Sequence, residues 1–222
     1  NNTAVGKSAL AANTTGTRNV AVGALALDAN TTANDNTAIG FDSLGANTTG
    51  SANTAVGREA MEANTTGSSN TALGCAALAV QTTASNNTAI GFNALLANTT
   101  GFANTAIGSL AGDALTTGNN NIAIGSNALG ADTLGDRSVA VGNEALASQN
   151  FTSSTDVYNV AVGYQAGFAI TTGSQNTMIG GLAGDATTTA DNITAVGYHA
   201  LSANTTGTQN VAVGSLALDA NT

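Results

Sequence analysis

The sequence predicts an all-β protein, a parallel β-solenoid of thirteen coils stacked along one axis. Three observations support this prediction: a short motif recurs at a fixed interval, its second residue is always β-branched, and proline is absent from all 222 residues. A fixed period is typical of repeat architectures. β-Branched residues favour an extended chain. The absence of proline suits strands whose every N–H group must be bonded to a neighbouring coil.

The motif N-T-A-V-G and its close variants end in a glycine thirteen times, with intervals of 17 residues except for one of 21. We number the repeat from position 1, the motif Asn, so that positions 6 to 17 read x-x-A-L-x-A-N-T-T-G-x-x. The long interval holds four extra residues within 150–158. The sequence therefore predicts a single array over residues 1–222, which begins and ends inside a repeat as a fragment of a longer fibre would.

Each repeat is predicted to contain two short strands. Positions 1 to 5 form the first strand, which ends in a bend at the glycine, and positions 7 to 11 form the second, followed by a turn at positions 12 to 16. Positions 7 and 9 would then share a face. Leu110 and Leu182, at position 7, would replace the volume missing at Gly112 and Gly184, at position 9. No helical periodicity spans the repeat.

The charged residues avoid the motif. All seventeen of them, apart from Asp156 in the insertion, fall at positions 6, 7, 10, 12, 16 and 17. A strand that excludes charge from both faces is expected to be buried on both sides. One face would line the coil and the other would contact a second chain. Ala89, Ala106 and Ala123 are the candidate interface residues if position 3 faces outward, whereas positions 2 and 4 form the interface in the alternative.

Residues 2–10 and 87–95 follow the pattern N-T-A-[VI]-G-x-x-A-L. This pattern resembles the head repeats of trimeric autotransporter adhesins, and the resemblance covers the whole chain. It implies a left-handed parallel β-roll in which three chains associate side by side. The 17-residue spacing, with its added N-T-T-G turn, is longer than the usual head repeat. Similar repeats occur in phage tail fibres and large bacterial surface proteins.

No residues are spaced as a catalytic or metal site would require. His199 and Cys75 are single residues at variable positions, and the acidic residues of position 10 are too sparse for a calcium ladder. We therefore expect no enzyme activity, no cofactor and no metal. A net charge of −9 with four basic residues argues against a nucleic-acid partner. No apolar run approaches the roughly 18 residues of a membrane span.

The repeated polar residues suggest three further roles. Position 1 Asn side chains are predicted to form a ladder along the array. The N-T-T sequence also provides candidate glycosylation sites at Asn13, Asn30, Asn47, Asn64, Asn98 and Asn204. A regular threonine array at positions 13 and 14 could contact ice, although adjacent residues on a strand face opposite ways and only one row could be exposed.

These observations predict a structural segment of an extracellular or cell-surface fibre or adhesin. The partners would be further copies of the chain, a trimer being favoured by the resemblance, or filament neighbours, with a glycan or matrix component as a further ligand. The alternative is a surface-binding protein that recognises ice or glycan through a flat Thr or Asn face. The segment 150–158 is predicted to project outward without changing the register, and to tolerate the deletion of four residues.

Overall fold

The computed structural model describes residues 1–220. One parallel sheet holds thirteen strands, and a separate pair is formed by β9 and β11. The strands are β1 (Thr3–Val5), β2 (Val20–Val22), β3 (Thr37–Ile39), β4 (Thr54–Val56), β5 (Thr71–Leu73), β6 (Thr88–Ile90), β7 (Thr105–Ile107), β8 (Ile122–Ile124), β9 (Gly135–Asp136), β10 (Val139–Val141), β11 (Thr155–Asp156), β12 (Val160–Val162), β13 (Thr177–Ile179), β14 (Thr194–Val196) and β15 (Val211–Val213).

The strands of the large sheet stack in register, one from each coil. Ala89 lies opposite Ala106, and the same position-to-position pairing joins every neighbouring strand. The pairing is unbroken across the long interval, where Val139 lies opposite Val160. No helix occurs in residues 1–220. The predicted all-β parallel solenoid is therefore confirmed.

The motif glycine ends each strand in a conformation that other residues rarely adopt. The φ angle at position 5 lies between 128° and 141°. A Cβ atom on Gly91 would collide with the carbonyl oxygen of Gly108 in the next coil, and the same contact recurs at the other motif glycines that have a following coil. The glycines therefore stack in one line along the axis, as predicted.

The predicted second strand is wrong. Positions 6 to 11 form turns in twelve of the thirteen coils, and in the remaining coil the turn runs from Ser126 to Leu129. Positions 7 and 9 have φ between 50° and 61° in every coil. A left-handed residue costs roughly 1–2 kcal/mol unless it is glycine, and two of them within three residues are incompatible with an extended chain. Hydrogen bonds to neighbouring coils offset this cost. The backbone N–H of Leu27, for example, donates to the carbonyl of Ser43 over 3.0 Å.

The core is a column of small and branched apolar side chains inside the coils. Ala38 at position 3 and Leu44 at position 9 are wholly buried, and alanine fills position 8 in nearly every coil. Position 7 does not replace the missing leucines of position 9, because Leu110 and Leu182 remain partly exposed. The vacant space is filled from other positions. Leu115 and Ile170, both at position 12, approach Gly112 and Gly167, and Met178 approaches Gly184.

The insertion keeps the register, as predicted, but it does not simply project. Strand β11 pairs in parallel with β9 of the preceding coil. Phe151 and Val157 are buried, whereas residues 152–154 are exposed. Arg137 forms an ion pair with Asp156 and lies 5.8 Å from the ring centre of Tyr158. The segment is thus anchored at both ends and along one side.

Candidate functional site

Each strand of the thirteen-stranded sheet has one side that faces the coil interior and one that faces outward. Position 3 alanines are buried in every coil after the first, and so is position 1 from Asn19 to Ile193. Positions 2 and 4 point the other way and remain half-buried or exposed. We call the side chains of positions 2 and 4 in all thirteen strands the outer face.

The alanines proposed as interface residues lie inside the solenoid. Ala89 and Ala106 have no exposed surface, and Ala123 is 1% exposed. They pack with the position 8 alanines and position 9 leucines of their own chain. A second chain cannot reach them, so of the two alternatives only positions 2 and 4 remain available as an interface.

The outer face is uncharged and largely apolar. Position 2 holds only Thr, Val or Ile, and position 4 only Val, Ile or Leu. Several of these side chains are exposed well inside the array, among them Leu73 at 47% and Ile107 at 36%. Because all thirteen strands are in register, the two rows run straight along the axis.

Exposed aromatic side chains follow the bend at one edge of this face. Phe41, Phe92, Tyr164 and Tyr198 all occupy position 6 and are 49–56% exposed. The ring of Tyr198 meets His199 edge-on, with ring centres 4.5 Å apart. Position 6 is therefore solvent-facing, as its variable composition indicates.

Two columns of asparagine run inside the coils. At position 1, the backbone N–H of Asn36 donates to Oδ1 of Asn19 over 3.0 Å, and Nδ2 of Asn36 donates to the carbonyl of Gly50 over 2.8 Å. The predicted ladder at position 1 therefore exists, and it bonds mainly side chain to backbone. It serves the coil interior rather than a ligand.

The second column contains the candidate glycosylation sites. Asn30, Asn47, Asn64, Asn98 and Asn204 are wholly buried, and Asn13 in the first coil is half-buried. Nδ2 of Asn64 donates to Oδ1 of Asn47 over 2.9 Å and to the carbonyl of Gly67 over 3.0 Å. Since Nδ2 is the atom that would carry a glycan, the folded coil cannot hold sugars at these buried sites. The interpretation of the sequons as glycosylation sites is wrong there.

The threonine rows are partly exposed. Position 13 hydroxyls donate to the position 13 carbonyl of the next coil, as Thr48 does to Thr65 over 3.1 Å. The position 14 threonines, from Thr15 through Thr206, are exposed. Position 14 is thus the more open row, but the expectation that only one row would be exposed holds only in part, because Thr14, Thr82, Thr171 and Thr205 of position 13 are exposed as well.

Buried carboxylates are scattered rather than clustered. Burial raises the pKa of Asp132, and hydrogen bonds from Gln149, Phe151 and Gly135 offset part of that effect. Burial likewise raises the pKa of Asp113 and Asp185. Each of these two keeps one carboxylate oxygen without a partner among residues 1–220.

The structure does not bring together groups for catalysis. Cys75 and His199 are seven coils apart along the axis, or roughly 34 Å at the usual strand spacing. Within the described residues there is no pocket and no group of three His, Cys, Asp or Glu side chains that could hold a metal ion. That same part of the chain has no helix able to cross a membrane.

Comparison with family models, with curated proteins and with solved structures finds no match. The class of protein is defined by the fold itself. The chain is a β-solenoid repeat protein in which each coil contributes one strand to the main sheet.

Proposed function

We propose that the chain is a rigid structural segment of an extracellular fibre or adhesin, of the kind whose head repeats it resembles. The observation that carries this proposal is the unbroken bonding from each coil to the next. The sheet runs through all thirteen strands, and hydrogen bonds between turns link the remaining sides of the coil. The internal Asn column adds further bonds along the axis.

Such an array resists bending because adjacent coils are hydrogen-bonded to each other through the strands, through the turns and through the internal Asn column. The free energy of unfolding of the array is approximately the sum of the contributions of the single coils and of the contacts between neighbouring coils. The thirteen strands span roughly 58 Å, taking about 4.8 Å for each of the twelve steps. A rod of this kind extends a surface from its point of attachment, and as in the resembled family it would work as an assembly of several copies.

The rod can be tested by its length. Solution scattering should give a rod whose long dimension grows by about 14 Å when three consensus coils are inserted between two existing ones. A particle that grows equally in all directions would contradict the proposal. Antibodies against the array should label the outside of intact cells or particles that produce it, and labelling only after lysis would exclude a surface fibre.

A second candidate is a surface-binding protein that uses the exposed threonines. Seven consecutive coils present a position 14 threonine, from Thr15 to Thr117. The Asn face no longer supports this candidate, because its side chains are buried. Thermal hysteresis that disappears when Thr66, Thr83 and Thr100 are replaced by valine would favour ice binding. Its absence would leave the structural role.

A further inference from the structure

We propose that the chain forms an internal ester bond between the side chains of Ser138 and Gln149, with loss of ammonia. The proposal goes beyond the structural role and does not depend on it. Three departures from the repeat meet at this site. No other coil has Asp at position 12, as at Asp132, or Ser at position 1, as at Ser138. In the next coil Gln149 replaces the usual Asn of position 12.

The amide of Gln149 contacts both other side chains. Its Nε2 donates to Oγ of Ser138 over 2.9 Å and to Oδ2 of Asp132 over 2.6 Å. Its Oε1 accepts a hydrogen bond from Nδ2 of Asn159 over 2.9 Å. All four residues are wholly buried. A hydroxyl, a carboxyl and a carboxamide thus share one closed site inside the solenoid.

The hydroxyl oxygen lies close to the carbon that it would attack. Since an amide C–N bond is about 1.33 Å long, the 2.9 Å contact with Nε2 places Oγ of Ser138 no more than about 4.2 Å from Cδ of Gln149. The amide is held at both its oxygen and its nitrogen. A rotation of the short serine side chain would bring Oγ to the roughly 3–3.5 Å of a near-attack geometry.

The atoms of the reaction balance within the site. Oγ of Ser138 forms a bond with Cδ of Gln149, and the Cδ–Nε2 bond breaks. Negative charge develops on Oε1 in the tetrahedral intermediate, where the hydrogen bond from Asn159 stabilises it. The hydroxyl proton ends on the departing nitrogen, which leaves as ammonia. The reaction needs no oxidant, metal or second substrate, and each chain undergoes it once.

Asp132 supplies the proton transfer. Its Oδ2 is bonded to the nitrogen that leaves, and its Oδ1 is held by the backbone N–H groups of Gly135 and Phe151. Asp132 gives a proton to the departing nitrogen and takes the hydroxyl proton in exchange. Burial raises the pKa of Asp132, which suits a group that must both donate and accept a proton near neutral pH. Burial also excludes the water that would hydrolyse the ester.

A second buried glutamine shows the same arrangement without the reacting groups. Nε2 of Gln81, also at position 12, donates to Oδ1 of Asn64 over 3.3 Å, and its Oε1 accepts from Asn87 over 2.9 Å. Position 1 of that coil is Asn70, so no hydroxyl is present. Since Asn64 provides an acceptor of equal size, hydrogen bonding to a glutamine does not require a carboxyl at Asp132, whereas proton transfer does.

Mass spectrometry of the purified full chain tests the proposal. The unaltered chain should weigh about 17 Da less than its sequence, the mass of ammonia. A protease that cuts the unfolded chain after Glu144 should leave the two sides joined, and hydroxylamine should then separate them. Peptides that contain Gln81 should be unmodified. Ser138→Asn restores the residue of the other coils, so it should fold, have the full mass of its sequence and separate after cleavage.

The variant Asp132→Asn tests the proton transfer, again with the residue of the other coils. In samples taken during cell-free synthesis, the rate of ester formation should fall by about 100-fold or more, the usual contribution of a general acid and base. Circular dichroism should show the same β content as in the unaltered chain. An unchanged rate would overturn the role of Asp132.

Three results would overturn the ester itself: a full-mass unaltered chain with β-type circular dichroism, a loss of ammonia that persists in Ser138→Asn, or a gain of about 1 Da at Gln149, which would mean hydrolysis to Glu. A full-mass chain that is still a rod of the expected length would remove the ester and leave the structural role standing.

Discussion

Leu115 fills the space that a leucine at Gly112 would occupy: a Cβ atom on Gly112 would lie 3.1 Å from Cδ1 of Leu115. One coil earlier the arrangement is reversed, with Leu95 at position 9 and Asn98 at position 12. Ile170 and Gly167 repeat the first arrangement. The coil interior thus takes one large apolar side chain, which comes from position 9 or position 12 in most coils and from Met178 at position 3 beside Gly184.

This relationship predicts a strong coupling between the two positions. Gly112→Leu alone should overpack the coil and lower the free energy of unfolding by about 1–3 kcal/mol. Adding Leu115→Asn should restore most of it, since the pair then matches Leu95 and Asn98. A double-mutant cycle by urea unfolding measures the interaction energy. Strict additivity of the two substitutions would contradict the shared-space explanation.

The motif glycines should tolerate a side chain far less well than Gly181, which has room for one. Gly91 has φ of 138°, and a Cβ there would collide with the Gly108 carbonyl. Gly91→Ala should therefore lower the free energy of unfolding by about 3 kcal/mol or more, from strain and steric overlap together. The control is Gly181→Ala, where the nearest atom to the new Cβ is Tyr198 Cδ2 at 3.7 Å. Equal losses would refute the stacking argument.

The register and the stacked glycines could be predicted because they depend on spacing and on residue types with few alternatives. The turn at positions 6 to 11 could not be predicted in the same way, because leucine in a left-handed conformation is uncommon. The signal that was available is glycine at position 9, as in Gly112, Gly167 and Gly184. A residue whose φ is positive is often replaced by glycine.

The inner side of the strand was ambiguous for a different reason. Alanine at position 3 and Thr, Val or Ile at position 2 are all uncharged, so absence of charge does not separate inside from outside. The buried Asn30 and Asn64 were also misleading, because asparagine is mostly an exposed residue. Only the coil geometry shows that their amides satisfy carbonyl groups inside the solenoid.

The buried asparagine column should stabilise the array measurably. Asn64→Ala removes the two hydrogen bonds donated by Nδ2 and the one that Oδ1 accepts from Gln81. Each buried partner left unsatisfied costs about 1–3 kcal/mol. Asn64→Ala should therefore clearly lower the free energy of unfolding measured with urea. The control Thr66→Ala, on the exposed row of the same coil, should have a free energy of unfolding within about 0.5 kcal/mol of the unaltered chain. A similar loss of unfolding free energy in both variants would show that the buried asparagine column does not stabilise the array.

Two carboxylates should make the protein less stable as pH rises. Burial raises the folded-state pKa of Asp113 and Asp185 above the ordinary value of 3.8. Their protonation favours the folded state, so this contribution is complete below 3.8 and is lost as pH rises through the raised pKa. Asp113→Asn/Asp185→Asn should therefore unfold at a higher temperature than the unaltered chain near neutral pH. The difference in unfolding temperature should disappear at about pH 3. A difference that does not change with pH would show that the two carboxylates are not its cause.

The insertion provides the sharpest test of what each coil requires. Deleting residues 152–155 restores an interval of 17 but places Asp156 at position 15, which is Gly or Ala in every regular coil. That position is buried in the coils before and after, at Gly135 and Gly173. The simple four-residue deletion should therefore destabilise the array, because a carboxylate is forced into the interior.

Replacing residues 152–156 by a single glycine gives the same interval with a suitable residue. This second variant should retain Phe151 and Val157, keep the strand register, and fold with only the loss of the β9–β11 pairing and the Arg137–Asp156 ion pair. Circular dichroism and hydrogen exchange at Val139 to Val141 and Val160 to Val162 would compare the two. If both variants fold equally well, position 15 is not the constraint. If neither folds, the insertion itself is structural.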